Sequence, residues 1–282
     1  MMRLGIFAKT FDGTDPATVL GAVADTGFSA SQYNMACSGL ASMPDEISDE
    51  QARSIGEAAA KTGVEIVAVS GTYNMTHPDV SVRQVGHRRL EELARHCAGM
   101  STGLITLCTG TRDPVDQWRA HPDNDLPDAW RDLLEAMETA LEIAERYDIN
   151  LGIEPELANV INSAEKAHRL ITELGSPRLK IVMDPANLFE VATLEEQRST
   201  VSAAIDLLAD RIVMAHAKDR NPDGSFATAG KGVLDYPYYL GRLKAVGFDG
   251  SLVTHGLSAT EAAGVATFLQ NILSGGSTGD GR

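Results

Sequence analysis

Leu151-Gly152-Ile153-Glu154-Pro155-Glu156 is the stretch on which the reading of this chain turns. An apolar run of strand length ends there in two carboxylates, where no solvated face is expected. Side chains two apart on a strand share a face, so Glu154 and Glu156 are expected to point the same way. If that way is inward, they stand at the mouth of a barrel or sheet, placed to bind a metal ion or move a proton.

Runs of the same kind recur on both sides of this one. Before it come Leu4 to Lys9, Phe28 to Asn34, Glu65 to Gly71 and Gly103 to Gly110; after it come Leu179 to Asp184, Arg211 to Asp219 and Ser251 to His255. Helix-period stretches separate them, with recognisable ends. Pro16 suits a first helical turn and Gly27 a C-terminal cap, and Ser48 with Gln51 has the spacing of a capping box. Eight strand–helix units with no linker between halves predict a closed parallel (β/α)8 TIM barrel of the α/β class. The runs are nearly continuous in apolar residues, as strands buried on both faces should be. An open doubly wound sheet would favour a glycine-rich turn after its first strand, and residues 8–14 hold no G-x-G-x-x-G. Residues 1–274 are therefore read as one domain and 275–282, rich in Gly and Ser, as a disordered tail.

The composition narrows the partners. The chain has 282 residues, 43% hydrophobic and 22% charged, with a formal net charge of -15. That charge disfavours nucleic acid and anionic membranes, whose affinity comes from neutralising phosphate. No apolar run reaches the roughly 18 to 20 residues that cross a bilayer, and the start lacks the layout of a signal peptide, so a cytoplasmic location is expected. Cys37, Cys97 and Cys108 show no C-x-x-C spacing and read as reduced thiols of the core. The composition leaves open whether the chain forms a homo-oligomer.

Barrel sites are built at the C-terminal ends of the strands, and ligand-type residues collect there in the second half. Glu154 and Glu156 end the fifth run, Asp184 the sixth with Asn187 just beyond, His216 and Lys218 the seventh, and His255 the eighth. Oxygen and imidazole donors suit Mn2+, Mg2+, Co2+ or Zn2+. Glu154, Asp184, His216 and His255 are thus expected to hold one divalent ion, and Glu156, two residues further out, to act as a base or anchor substrate hydroxyls. Glu154 and His255 are further candidates for the base. Lys218 could stabilise charge developing on an oxygen or pair with Glu156 or Asp219. Asn187, Asn74, His77, Trp118, His121 and Lys231 are candidate substrate-binding residues, and Gln32, Asn34, Thr109 and Thr111 could also meet hydroxyls. Gly230-Lys231-Gly232 offers a weak signal for a phosphate cradle.

Taken together, Gly71-Thr72-Tyr73-Asn74-Met75, Thr109-Gly110-Thr111-Arg112-Asp113, Ile153-Glu154-Pro155-Glu156, Met183-Asp184-Pro185-Ala186-Asn187, His216-Ala217-Lys218-Asp219 and Gly230-Lys231-Gly232 resemble the sugar phosphate isomerase/epimerase family, the xylose isomerase-like barrels. The resemblance spans nearly the whole chain. It implies the same barrel and one divalent metal held by Glu154, Asp184, His216 and a last-strand acid, with a polyol or keto-sugar bound across it. The chain departs at the fourth ligand: Val253-Thr254-His255-Gly256 carries a histidine where the sugar epimerases of the family usually have glutamate. Asn187 likewise stands near a position where those epimerases carry a substrate-contacting histidine.

The expected activity is a metal-dependent isomerase or epimerase that takes a proton next to the carbonyl of a small keto-sugar or polyol-type substrate. A dehydratase of the inosose type and a non-catalytic sugar- or metal-binding barrel are the alternatives. An endonuclease-IV-type repair enzyme would need more metal ligands and a basic face.

Overall fold

The computed structural model describes residues 2–275, so all but Gly275 of the tail expected at 275–282 lies outside the described residues. Eight strands form a closed parallel barrel: β1 (Arg3–Phe7), β2 (Ala30–Tyr33), β3 (Glu65–Ser70), β4 (Leu104–Cys108), β5 (Asn150–Glu154), β6 (Leu179–Met183), β7 (Ile212–Ala217) and β8 (Ser251–Thr254). Each is hydrogen-bonded to its sequence neighbours, and β8 pairs with β1 to close the ring, Leu4 opposite Leu252. The helices that follow them are α1 (Pro16–Asp25), α2 (Asp49–Thr62), α3 (Val80–His96), α4 (Pro127–Arg146), α5 (Ala164–Leu174), α6 (Leu194–Leu208), α7 (Tyr236–Ala245) and α8 (Ala262–Leu273). The expected barrel is the observed one. None of these helices is long and apolar enough to cross a membrane.

The helix starts follow from local chemistry. Asp15 caps α1 by accepting from the Thr18 amide, and Pro16 opens the helix, where its missing N–H costs nothing. Ser48 and Gln51 form the capping box of α2, each side chain bonded to the other's backbone N–H. Thr193 and Glu196 do the same for α6.

Two apolar layers hold the barrel. The larger lies between strands and helices and includes Leu20, Ile55, Leu93, Leu133, Leu170, Ile205, Leu243 and Leu269. Each such side chain contributes roughly 1.5–3 kcal/mol by leaving water. A smaller cluster, Ala68, Leu104, Val182, Met214 and Val253, fills the space that the strands enclose. A Cβ at Gly152 would stand 2.9 Å from Val182 and 3.3 Å from Leu104, so Gly152 faces this crowded layer. Glu154, two residues further along the same strand, faces the same way one layer up. A short antiparallel ribbon, Asp219–Arg220 with Phe226–Ala227, rises from the end of β7 beside the mouth.

Candidate metal centre

β5 stops at Glu154 because Pro155 has no N–H to continue the ladder. Glu156 therefore lies just beyond the strand, yet it lines the same cavity as Glu154. Asp184 and His255 each stand one residue past their strands, β6 and β8, and His216 lies within β7. Glu154, Asp184, His216 and His255 each offer one ligand atom, and these four atoms all lie within 4.8 Å of one another. His216 Nδ1 is 3.4 Å from Glu154 Oε2 and 3.7 Å from Asp184 Oδ2. His255 Nε2 is 3.2 Å from Asp184 Oδ2, and the two imidazole rings lie 4.4 Å apart.

Surrounding groups aim these donors. Gln32 Nε2 donates to Thr106 Oγ1 at 3.0 Å, which turns Gln32 Oε1 toward His216 Nε2, also at 3.0 Å. That contact places the proton of the neutral ring on Nε2 and leaves a lone pair on Nδ1. His216 Nδ1 is buried and without a hydrogen-bond partner among the described residues, and it faces two carboxylates. Asp184 Oδ1 accepts from the Ala186 amide at 2.9 Å, and Asn187 Nδ2 donates to Glu154 Oε1 at 2.6 Å. Oxygen and nitrogen donors held in this way by outer partners fit a divalent ion.

The electrostatics point to the same need for positive charge. Burial pushes the pKa of His216 down, but the negative charges of Glu154 and Asp184 outweigh it and hold the group up at about 9. His255 is lowered, by burial and then by the charge of His216. Burial acts against the charged form of Asp184, yet its contacts with His216 and His255 keep its pKa well below the usual carboxylate range. Glu156 is raised to about 7, first by burial and then by Glu154, with Lys218 pulling the other way.

A cavity of about 530 Å3 opens over the four donors and is lined among others by Glu156, Asn187, Lys218, Trp118, Phe226, Cys108 and Lys9. Lys218 forms no ion pair with Glu156 or Asp219 among the described residues, and its Nζ lies 3.2 Å from the centre of the Phe226 ring. Asn187 gives its Nδ2 to Glu154 while its Oδ1 is buried without a partner among the described residues, and Trp118, half exposed, sits at the wall.

Four of the candidate substrate-binding residues stand elsewhere. Asn74 and His77 line a separate cavity of about 390 Å3. Asn74 clamps the loop after β4, donating to the Thr111 carbonyl and accepting from the Thr111 amide, both at 2.9 Å. His77 accepts from the Asp79 amide, and His121 caps a short 3-10 turn, accepting from the Asp123 amide. Lys231 points outward to Glu261 at 2.7 Å. The phosphate cradle suggested by Gly230-Lys231-Gly232 is already filled. Asp219 accepts from the amides of Arg220, Gly230, Gly232 and Leu234 at 2.9 to 3.1 Å, so the carboxylate takes the place an anion would need. Of the residues proposed for hydroxyls, Gln32 serves His216, Thr109 Oγ1 accepts from the Ile161 amide, Thr111 Oγ1 donates to Asn124, and Asn34 lines the cavity.

Residues 20–268 match the family of xylose isomerase-like TIM barrels. The chain belongs to that family. Among solved structures it is similar to the apo 3-keto-D-glucoside 4-epimerase YcjR from E. coli, with TM-score 0.77 and 16% identity over 96% of this chain and 100% of the other. It is also similar to the probable 3-DHS dehydratase AsbF from Bacillus anthracis, with TM-score 0.74 and 12% identity over 96% and 99%. A third is the IOLI protein with a bound zinc atom, with TM-score 0.73 and 14% identity over 98% and 100%. At these identities the likeness is one of fold.

Proposed function

We propose that this xylose isomerase-like barrel is a metal-dependent isomerase or epimerase acting on a small keto-sugar or polyol-type substrate. The observation that carries this reading is the buried His216 Nδ1, unpartnered and facing Glu154 and Asp184, with His255 alongside. Glu154, Asp184, His216 and His255 hold the ion. A divalent ion there supplies Lewis acidity to a substrate carbonyl and lowers the pKa of the adjacent C–H.

Glu156 takes the proton. It lines the cavity, is not among the four metal donors, and has a pKa raised to about 7, where a carboxylate works as a base and can also give the proton back. Lys218, free of any carboxylate partner among the described residues, stabilises negative charge on the substrate oxygen. Trp118 and Phe226 line the entrance and limit water.

The placement of His255 favours a second reading, a dehydratase on the same scaffold. With His255 beside Asp184, Glu156 is the one carboxylate outside the candidate metal donors among the residues that line the cavity, which suits loss of a β-hydroxyl as well as return of the proton to carbon. Deuterium wash-in from D2O, followed across keto-sugars and inososes, tests both. Exchange next to the carbonyl is expected, with an elimination product marking the dehydratase. Purified protein should carry about one divalent ion per chain, and Glu154→Ala or His216→Ala should lose it. A native protein that binds no metal defeats this reading, and metal binding without exchange on any substrate turns it toward a non-catalytic sugar-binding barrel.

A further inference from the structure

The donor set of this centre bears on which ion it takes. Its four ligand atoms come from two carboxylates and two imidazoles. His216 is held by Gln32 with its free nitrogen toward Glu154 and Asp184, and it is only 3% exposed. His255 makes one hydrogen-bond contact among the described residues, to Asp184 Oδ2, so no other group competes for its ring. Gly256, at φ +73, turns the chain directly after it.

Two carboxylates balance the charge of a dication, so a third anion is not required for neutrality. The two remaining positions are nitrogen. Mg2+ and Ca2+ prefer oxygen-rich shells and Mn2+ leans the same way, while imidazole suits Zn2+, Co2+ and Fe2+. An oxygen ligand in place of His255 would give one nitrogen and three oxygens and would move the site toward Mn2+ and Mg2+.

We infer that the centre selects a borderline ion, Zn2+ or Co2+, over Mn2+ and Mg2+, and that His255 is the residue that sets this preference. The inference rests on the metal-dependent reading above and adds the class of ion to it.

The test is a titration of the full-length, metal-stripped protein with Zn2+, Co2+, Mn2+ and Mg2+, by calorimetry or chelator competition. Zn2+ binds more tightly than Mn2+ at almost any site of this kind, so the informative quantity is the change made by His255→Glu. The Co2+/Mn2+ affinity ratio should fall by about tenfold or more, about 1.4 kcal/mol of differential binding. The visible spectrum of bound Co2+ should shift with the loss of one nitrogen donor. If His255→Glu does not fold, as judged by its melting curve, His255→Gln takes its place, and Co2+ should then lose more affinity than Mn2+. An unchanged ratio with an unchanged Co2+ spectrum overturns the inference and leaves the metal-dependent reading standing. Failure of the wild type to bind any of the four ions overturns both.

Discussion

Replacing Gln32 with leucine removes the residue that orients His216 without touching a metal donor. Gln32 bridges Thr106 and His216 with two contacts of 3.0 Å, and all three side chains are buried. Leucine is close in size and cannot accept from His216 Nε2, so that N–H is left buried and unsatisfied. The cost to folding is about 1–3 kcal/mol. The cost to the ion is separate: once Nε2–H has no acceptor, the ring can place its proton on Nδ1, and loss of such an outer partner typically costs 10–100-fold in metal affinity. Calorimetric titration with Zn2+ gives the second quantity, and urea denaturation of the metal-free protein gives the first. Gln32→Glu keeps an acceptor on Nε2–H, strengthens it, and should retain the ion. Wild-type metal affinity in a folded Gln32→Leu variant would refute the assignment of Nδ1 as a ligand atom.

Metal affinity should rise with pH, because the ion displaces the proton that His216 holds up to about 9. Titrations should show about tenfold gain per pH unit between pH 7 and 8.5. In the metal-free protein the folded pKa of His216 is raised from 6.5, so its stabilising contribution is complete below pH 6.5 and is lost as pH passes 9; melting curves in chelator should fall over that window. Asp219→Ala leaves four backbone amides without their acceptor, and should cost about 3 kcal/mol or more in denaturation and open residues 219–234 to proteolysis. Gly110 has φ +78, and a Cβ there would stand 2.1 Å from Asn74 Oδ1. Gly110→Ala should therefore destabilise the fold by about 2 kcal/mol or more, read by the urea midpoint.

The barrel was legible because its period is written eight times, as short apolar runs with helix signals between them, and because Ser48, Gln51, Asp15 and Pro16 mark helix starts with their own chemistry. That Glu154, Asp184, His216 and His255 come together was legible for a related reason: a strand end is a fixed place in a barrel, and all four sit at one. Loop residues carry no such address. Asn74, His77, His121 and Lys231 have the right chemistry for a sugar, but the loops turn them onto backbone amides, a neighbouring loop or Glu261. Gln32 shows the opposite failure. Its partner His216 is 184 residues away and lies across the mouth of the barrel, and a shift in strand register falls just before it, between Ser31 and Gln32, so local pattern said nothing about where its amide goes. Cys108 and Phe226 were missed as cavity residues because a thiol and a phenyl ring read as core or loop until the cavity is seen.

The same physics divides Glu154 from Glu156, which the sequence presents as a matched pair. Glu154 receives the Asn187 amide at 2.6 Å and lies 3.4 Å from His216, so it is tied into the candidate metal cluster. Glu156 has a longer contact, 3.4 Å to Asn159, and burial with the repulsion of Glu154 outweighs the opposing pull of Lys218 and Cys108. On the reading proposed above, two carboxylates whose environments differ in this way take different tasks: Glu154 would bind the ion and Glu156, raised to about 7, would exchange a proton near neutrality. On the function proposed here, that division limits the chemistry. His255, at the end of β8, lies against Asp184 within the candidate metal donors and is taken up there. Glu156 acting alone returns the proton to the face it left, which serves isomerisation or loss of a β-hydroxyl, whereas inversion at one carbon needs a proton from a second side chain, and Lys9 and Lys218 line the same cavity.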